Sequence, residues 1–195
     1  IITNIQSDHI DFHGNFENYK NAKLKICSEK GRTIFCTSDD YEEIAKAFAS
    51  DLESNLDAND VNLYNLPFRL QKISEGVIND SKSTNSASLL YALNKLNFKG
   101  DLILCGNPAK EGCEELDITG PKRVFIYGKH RNELLNICKH KNISTHSSLD
   151  EIFEVLQKDK HKDILFSPGN PSGNDYLNFI ERGKHFNNLK EKYFD

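Results

Sequence analysis

Two polar segments of the sequence carry the residue types that an anion-binding site requires. The first, Asn79–Asn85, reads NDSKSTN and stands between a short apolar run and a helix-like segment. Free backbone N–H groups and the helix dipole favour phosphate or carboxylate there, and a lysine with several hydroxyls strengthens that preference. The second, Ser167–Gly173, reads SPGNPSG and follows another apolar run. Each segment alone is more often an ordinary turn.

A second set of candidates lies near the start of the chain. Asp8, His9, Asp11 and His13 form a small cluster of metal-ligand types, such as hydrolases use, because His9 and His13 are four residues apart. The cluster lacks further ligands nearby, so this metal-site interpretation is the weaker alternative. Lys23, on a predicted helix, is by itself expected to face solvent.

The loop Gly106–Gly112, with the sequence GNPAKEG, is not a phosphate loop. Its lysine, Lys110, precedes the second glycine, and the GK[ST] ending is missing. On its own, Lys110 is expected at the surface. Cys105 and Cys113 have no base at a recognisable spacing, which indicates structural thiols rather than nucleophiles.

Short β-rich runs alternate with helix-like segments from about Gly76 to the end of the chain. The runs are GVIND, DLILCG, RVFIYG, ISTH and DILFSP. This alternation predicts an α/β fold with a Rossmann-like, mostly parallel sheet flanked by helices. Ligands in such folds bind at the C-terminal ends of the strands. We therefore expect binding residues in the loops after Asn79, Gly106, Gly128 and Pro168.

Residues 1–66 follow a different pattern. Two strand-like runs, IITNI and TIFCTS, accompany helices predicted at about Phe16–Cys27 and Tyr41–Leu52. Two strands and two helices make a thin core, so this part is expected to be the remnant of a larger α/β domain. A stretch rich in Asn and Asp, SNLDANDVNLYN, precedes the predicted domain boundary between it and residues 67–195.

Composition argues against several classes of function. A net charge of −4 with interspersed acids and bases offers no basic surface for nucleic acid. No apolar run approaches the roughly 18 residues of a membrane span, and the N-terminus lacks the layout of a signal peptide. Five cysteines without a CxxC pair indicate free thiols in a reducing compartment, hence the cytoplasm. The sequence contains no methionine and starts with Ile1, so a fragment or a trimmed chain is expected.

Taken together and in order, four segments resemble the C-terminal domain of the Mur ligases, the ATP-dependent amide-forming enzymes of peptidoglycan synthesis. They are NLPFRLQ, GVINDSKSTN, GNPAK and SPGNPSGNDYLNFIERGKHF. The NDSK-x-TN element is specific to such enzymes, and the SP-x-x-x-S element with F-x-x-RG-x-x-F is similar to the branch that adds D-glutamate. The segment ITNIQSDHIDFHGNFENYKNAKLKI resembles the family's ATP-binding central domain. The resemblance covers nearly the whole chain, most weakly from Tyr41 to Tyr64.

The resemblance implies ATP and Mg²⁺ as cofactors and assigns residues to them. His9 would be a ligand of Mg²⁺ near the acyl-phosphate. Lys23 would be a carbamylated lysine whose added carboxylate helps to hold Mg²⁺. Arg69 and Asp80 would contact ATP, with Lys82 close to its phosphates.

The same resemblance implies D-glutamate as the amino-acid substrate, in a pocket formed by Thr84, Lys110, Ser172 and Phe179. UDP-N-acetylmuramoyl-L-alanine would bind through segments that this chain does not contain. The chain carries neither the family's phosphate loop nor its UDP-sugar-binding domain, so it is expected to be inactive alone. The loop SPGNPS also departs from the more usual SPACAS.

Two alternatives remain open at this stage. The first is a naturally reduced, non-catalytic module that keeps only a pocket for an acidic amino acid. The second is a sibling ligase such as a folate polyglutamylating enzyme, against which the SP…S…F…RG pattern argues.

Overall fold

A computed structural model of the chain describes Ile2, Ile5, residues 10–27, Thr33, Phe35, Ile44, and residues 66–110, 115–160 and 162–195. The chain divides into two units, Ile1–Tyr64 and Asn65–Asp195. Among the residues so described, no helix is both long and apolar enough to cross a membrane.

The first unit contains two short helices, α1 (Ile10–His13) and α2 (Phe16–Leu24). Gly14 separates them with a φ of 78°, a left-handed conformation that glycine adopts without steric cost. Asn15 then caps α2, because its side-chain oxygen accepts a hydrogen bond from the N–H of Asn18 at 2.9 Å. The helix predicted from Phe16 is therefore confirmed, although it ends earlier than expected.

The remaining predictions for this unit are tested only in part. An isolated parallel bridge joins Ile2 to Phe35, one residue from each of the two predicted strands. The helix predicted at Tyr41–Leu52 lies outside the described residues except for Ile44, which is helical.

The described part of the second unit contains eight strands: β1 (Gln71–Ser74), β2 (Val77–Asn79), β3 (Asp101–Cys105), β4 (Leu116–Asp117), β5 (Arg123–Tyr127), β6 (Cys138–Lys139), β7 (Ile143–His146) and β8 (Ile164–Phe166). Six of these described strands form one sheet in the order β1-β2-β8-β3-β5-β7. Only β1 is antiparallel in that sheet, and the other pairings are parallel. The predicted α/β fold with a mostly parallel sheet is thereby confirmed. The short parallel pair β4 and β6 was not predicted.

Four helices cover the two faces of this sheet in the described residues: α3 (Ser86–Leu96), α4 (Arg131–Ile137), α5 (Leu149–Leu156) and α6 (Phe179–Phe194). Alternate strand residues point to opposite faces. Ile103 and Phe125 join a core with α5 and α6, whereas Leu102, Leu104 and Val124 join a core with α3 and α4. The sheet is therefore buried on both sides, which explains the near-continuous apolar strand runs.

Side-chain caps set where three of the helices begin. The side-chain oxygens of Asn85, Ser148 and Asn178 accept hydrogen bonds from backbone N–H groups in the first turns of α3, α5 and α6. The sequence alone predicts the cap at Ser148, since a serine there precedes an amphipathic run with Glu151 three residues on, and the structure confirms it. The carboxylate of Glu151 accepts from the N–H of Ser147 at 2.9 Å, one residue before the position that a capping box would use.

The parallel strands all end at one side of the sheet, which we call the C-terminal edge. Four described loops leave the strands there: Asp80–Asn85 after β2, Gly106–Lys110 after β3, Gly128–His130 after β5, and Ser167–Asn178 after β8. Each of the predicted binding residues between positions 80 and 172 therefore lies in a loop at this edge, as the strand pattern predicted.

Candidate functional site

Asp80 is the first residue after β2 and is 1% exposed. One of its carboxylate oxygens accepts from the N–H of Leu70 at 3.0 Å, and the other accepts from the hydroxyl of Ser167 at 2.8 Å. Burial raises the pKa of Asp80 to about 6, and these hydrogen bonds and the nearby Arg69 and Arg182 oppose that rise. Asp80 thus joins the loops after β2 and β8 to the segment that precedes β1.

Arg182 is the cation at the centre of the C-terminal edge, and it is completely buried. Its Nη2 donates to the carbonyl of Ser81 at 2.8 Å, and its Nε donates to the hydroxyl of the same serine at 3.1 Å. Its Nη1 donates to the carbonyl of Asn170 at 3.0 Å and lies 3.9 Å from the sulfur of Cys105. One guanidinium therefore joins the ends of β2, β3 and β8.

Sequence reasoning did not include Arg182 among the site residues. It appeared only as the arginine of the RG pair in the motif, and a surface position is the ordinary expectation for arginine on a helix. The adjacent Gly183 explains the second half of that pair. A Cβ there would lie 2.4 Å from the ring of Phe68, so the glycine lets that ring pack against α6.

Arg69 lies in a tight turn whose backbone is unusual. The residues on either side, Phe68 and Leu70, have φ values of 62° and 45°, which bulky side chains rarely adopt. Hydrogen bonds hold the turn: the N–H of Lys82 donates to the carbonyl of Phe68 at 2.8 Å, and Asp80 accepts from Leu70. The turn that carries Arg69 is thereby fixed against the first loop of the C-terminal edge.

Lys82 and Phe179 are brought together, although 97 positions separate them in the sequence. The Nζ of Lys82 lies 3.9 Å from the centroid of the Phe179 ring, within the range of a cation–π contact. The hydroxyl of Ser81 donates to the carbonyl of Phe179 at 2.8 Å, which holds the start of α6 against the same loop. The sequence assigned these two residues to separate cofactor and substrate sites, but the structure places them side by side.

Thr84 is half-buried and stands immediately before the cap of α3. Its neighbour Ser83 is completely buried, and no hydrogen-bond partner for its hydroxyl occurs among the described residues. Buried polar groups normally have a hydrogen-bond partner, so the unpaired hydroxyl of Ser83 is an exception that supports a functional role for this loop.

Ser172 lies in the loop after β8, which is pinned to the loop after β3. The carbonyl of Pro171 accepts from the N–H of Asn107 at 3.1 Å. A Cβ on Gly106 would lie 2.2 Å from that same carbonyl oxygen, so the close approach of the two loops requires glycine. The backbone of Lys110 lies three residues farther along the β3 loop. Lys110 and Ser172 thus lie in adjacent loops of one edge, and the side chain of Lys110 is outside the described part.

A line of polar side chains runs from the helices into the sheet beside this loop. The hydroxyls of Tyr127 and Tyr176 are 3.2 Å apart, and that of Tyr176 is 2.8 Å from Nδ1 of His185. Burial raises the pKa of both tyrosines, so both hydroxyls stay protonated even in moderately alkaline solution. Burial also raises the pKa of Cys105, which agrees with the expectation of a structural thiol.

The predicted metal ligands lie in the first unit and are only partly described. His9 and Asp8 lie outside the described residues, as does the side chain of Asp11. Lys23 is exposed on α2, with its Nζ 5.2 Å from the centroid of the Tyr19 ring. Among the described residues, no three His, Cys, Asp or Glu side chains come together as a metal site. The roles of His9 and Lys23 stay predictions.

Comparison with known proteins gives consistent matches. The family description of the Mur ligase middle domain matches residues 1–103. The UDP-N-acetylmuramoylalanine–D-glutamate ligase of Fervidobacterium nodosum is 26% identical over 98% of this chain and 58% of its own length. The ligase of the same name from Buchnera aphidicola subsp. Schizaphis graminum is 30% identical over 93% of this chain and 46% of its own length. The chain thus spans about half the length of these relatives.

The fold has a counterpart among solved structures. A MurF ligase from Thermotoga maritima, solved in complex with ADP, superposes with a TM-score of 0.64. The match covers 97% of this chain and 61% of that protein at 16% sequence identity. At that identity the likeness concerns the fold alone.

Proposed function

Because the chain belongs to the Mur ligase family, we propose that it is the amino-acid-binding part of a cytoplasmic ligase that adds D-glutamate to UDP-N-acetylmuramoyl-L-alanine in peptidoglycan synthesis. The names of its relatives support this choice of reaction. The chain spans 58% of the length of the Fervidobacterium relative, so the complete reaction would require segments that this chain does not contain.

The observation that carries the proposal is the convergence of four loops on one edge of the sheet. Thr84, Lys110, Ser172 and Phe179, the residues proposed for D-glutamate, lie in or directly after three of these loops. A dicarboxylate needs cationic and hydroxyl donors, which the lysine, the threonine and the serine would supply. The ring of Phe179 would cover the methylene groups, and its contact with Lys82 at 3.9 Å supports a common position for cation and ring.

ATP would bind at part of this edge. Lys82 lies within the loop that opens α3 and Arg69 lies beside it, and the helix dipole favours phosphate there. Asp80 would act differently from its predicted role, because both of its carboxylate oxygens already accept hydrogen bonds within the protein. It would hold the turn that carries Arg69 in place.

The described residues do not form an assembled site for Mg²⁺. The proposal that Mg²⁺ binds therefore depends on the roles proposed for His9 and a carbamylated Lys23. When bound, ATP would supply the phosphoryl group that activates the carboxylate of the acceptor. The residues of this chain would then hold the amine of D-glutamate against that carbonyl and keep it oriented.

The direct test is an NMR titration of the 195-residue chain with D-glutamate, with L-glutamate as the stereochemical control. A charge-assisted hydrogen bond contributes about 1.5 to 3 kcal/mol, and association costs several kcal/mol, so we expect a Kd on the order of millimolar. Lys110→Ala should abolish detectable binding, because it removes the cation that pairs with a substrate carboxylate.

The matched control is Lys158→Ala, which changes an exposed lysine after α5. It should leave the titration unchanged. Chemical-shift changes that survive Lys110→Ala and Ser172→Ala together would show that the residue assignments are wrong, even though the family is right. Equal affinity for both enantiomers would count against D-glutamate as the substrate.

A further inference from the structure

We propose that Lys129, at the end of β5, is a positioning residue for the amino-acid pocket. It holds the loop that carries Ser172 in the conformation that binds substrate, without touching the substrate itself. The consequence for D-glutamate rests on the function proposed above. The effect of Lys129 on the loop is independent of that function, because it follows from contacts within the protein.

Lys129 binds two consecutive residues of the β8 loop. Its backbone N–H donates to the two carboxylate oxygens of Asp175 at 3.2 and 3.3 Å. Its Nζ donates to the carbonyl of Asn174 at 3.0 Å. A single residue at the end of one strand thus holds both the backbone and a side chain of a loop that follows another strand.

The two loops are shaped to fit each other. Gly128 has a φ of 96°, and a Cβ there would lie 2.6 Å from a carboxylate oxygen of Asp175. That carboxylate therefore occupies the space that a side chain would fill. Gly173, directly after Ser172, also has a positive φ, of 65°, and its Cβ position lies 3.5 Å from the ring of His130. The contact with Asp175 requires a residue without a side chain at position 128, whereas the positive φ is what favours glycine at position 173.

Ser172 stands between two fixed points of its loop. On its N-terminal side, the carbonyl of Pro171 accepts from Asn107 and the carbonyl of Asn170 accepts from Arg182. On its C-terminal side, the nearest hydrogen bond that holds the loop to another element is the one from Lys129 to Asn174. Lys129→Ala would remove the bond to Asn174 and keep the backbone bond to Asp175, so the segment next to Ser172 would gain freedom while the rest of the site stays in place.

A substitution at Lys129 can change the conformation of the β8 loop without changing the stability of the whole fold, because Lys129 is exposed. Exposed charged contacts contribute little to global stability. The loop also keeps a deeper anchor, since the ring of Tyr176 packs against the core and its hydroxyl lies close to Tyr127 and His185. A variant at Lys129 should therefore fold normally and differ only in the loop.

The test measures D-glutamate affinity and amide hydrogen exchange on the same variants of the full chain. We expect Lys129→Ala to weaken D-glutamate binding about fivefold, because apparent affinity falls with the population of the binding-competent conformation. Amide exchange at residue 129, whose N–H donates to Asp175 on the loop, should accelerate without ligand, and the thermal midpoint should stay unchanged. Lys129→Arg, which retains a donor of similar reach, should restore most of the affinity.

A second variant distinguishes a positioning role from direct contact with substrate. Asp175→Ala removes the acceptor of the Lys129 backbone N–H, a bond that Lys129→Ala retains, and leaves the Lys129 ammonium and its bond to Asn174 in place. If Lys129 acts through the loop, Asp175→Ala weakens binding as well, and the two effects on the binding free energy are not additive, because both substitutions release the same loop. If Lys129 binds substrate directly, the two effects add, and the proposal is overturned. Lys141→Ala, at an exposed lysine before β7, serves as the control.

The outcomes separate this proposal from the proposed function. Unchanged affinity in Lys129→Ala, with normal binding by the parent chain, overturns the positioning role alone. A parent chain that does not bind D-glutamate overturns the proposed substrate. In that case amide exchange decides the loop claim: faster exchange in Lys129→Ala supports it, and unchanged exchange overturns it.

Discussion

The two edges of the parallel sheet use polar residues in opposite ways. At the edge where the strands begin, which we call the N-terminal edge, Arg123 forms ion pairs with Asp101 and Asp159. Arg123 and Asp159 are partly exposed, by 24% and 38%, so water shares in their solvation, whereas Asp101 is buried. At the C-terminal edge, Arg182 and Asp80 are buried and bind loops rather than each other.

The two edges differ in whether their polar groups have hydrogen-bond partners and in how strongly burial shifts their pKa values. At the N-terminal edge, pairing with Asp101 and Asp159 raises the pKa of Arg123, while burial and the nearby Asp101 raise the pKa of Asp163. The C-terminal edge leaves the hydroxyl of Ser83 unpaired within the described residues and holds Asp80 at a raised pKa. Such perturbed and incompletely satisfied groups concentrate at functional sites, whereas paired surface charges are structural.

The largest effect should follow from Arg182→Leu. This change removes the donor to the carbonyls of Ser81 and Asn170 and takes a cation away from Asp80. Breaking a buried charged network typically costs about 3 to 5 kcal/mol, so the free energy of unfolding should fall by that amount. Denaturant titration measures it. A loss below about 1 kcal/mol would mean that the buried edge is no more sensitive than an exposed one.

A smaller, pH-dependent effect should come from Asp80. Its pKa is raised from 3.8 to about 6 in the folded chain, so the folded state holds the proton more tightly than the unfolded state. The contribution to the free energy of unfolding is then present below pH 4 and is lost as the pH rises through 6. The loss should be about 2 to 3 kcal/mol, since one pKa unit corresponds to about 1.4 kcal/mol.

Comparison with Asp80→Asn isolates this contribution, because asparagine does not titrate in that range. The difference in unfolding free energy between the parent chain and the variant should decline steadily from pH 4 to pH 7. A difference that does not vary with pH would show that Asp80 titrates near its ordinary value.

The smallest effect is expected for the same type of substitution at the other edge, Arg123→Leu. Its pair with Asp159 is partly exposed and contributes about 1 kcal/mol or less, whereas Asp101 is buried and binds Arg123 through both oxygens, so the total loss should be about 2 kcal/mol. The loss should shrink further in 1 M salt, because added ions screen exposed charges. A cost as large as that of Arg182→Leu would remove the distinction between the two edges.

Local sequence patterns were sufficient for much of the fold. The five predicted strands of the parallel sheet are present: β2, β3, β5 and β8 are largely buried apolar runs, and β7 is a more polar, partly exposed strand at the edge of the sheet. The strands that were missed, β1, β4 and β6, read QKIS, LD and CK. They are too short and too polar to produce a periodic signal.

The sequence predicted which edge of the sheet carries the candidate site, but it did not predict the side-chain contacts within that site. The loops at the C-terminal edge follow from the strand pattern, and the caps of the helices follow from single residues such as Ser148. The internal role of Asp80 and the contact between Lys82 and Phe179 did not follow, since each joins segments about 90 or more positions apart. Local periodicity contains no information about such pairings.

The sequence by itself determined the alternation of strands and helices, the edge at which ligands would bind, and the motifs that indicated the family. Only the tertiary structure decided that Arg182 is buried, that Gly183 makes room for Phe68, and that Lys129 holds the loop of Ser172. The physical reason is that burial and hydrogen-bond partnership depend on which loops meet at the end of the sheet. That meeting is set by the order of the strands in space, which differs from their order in the chain.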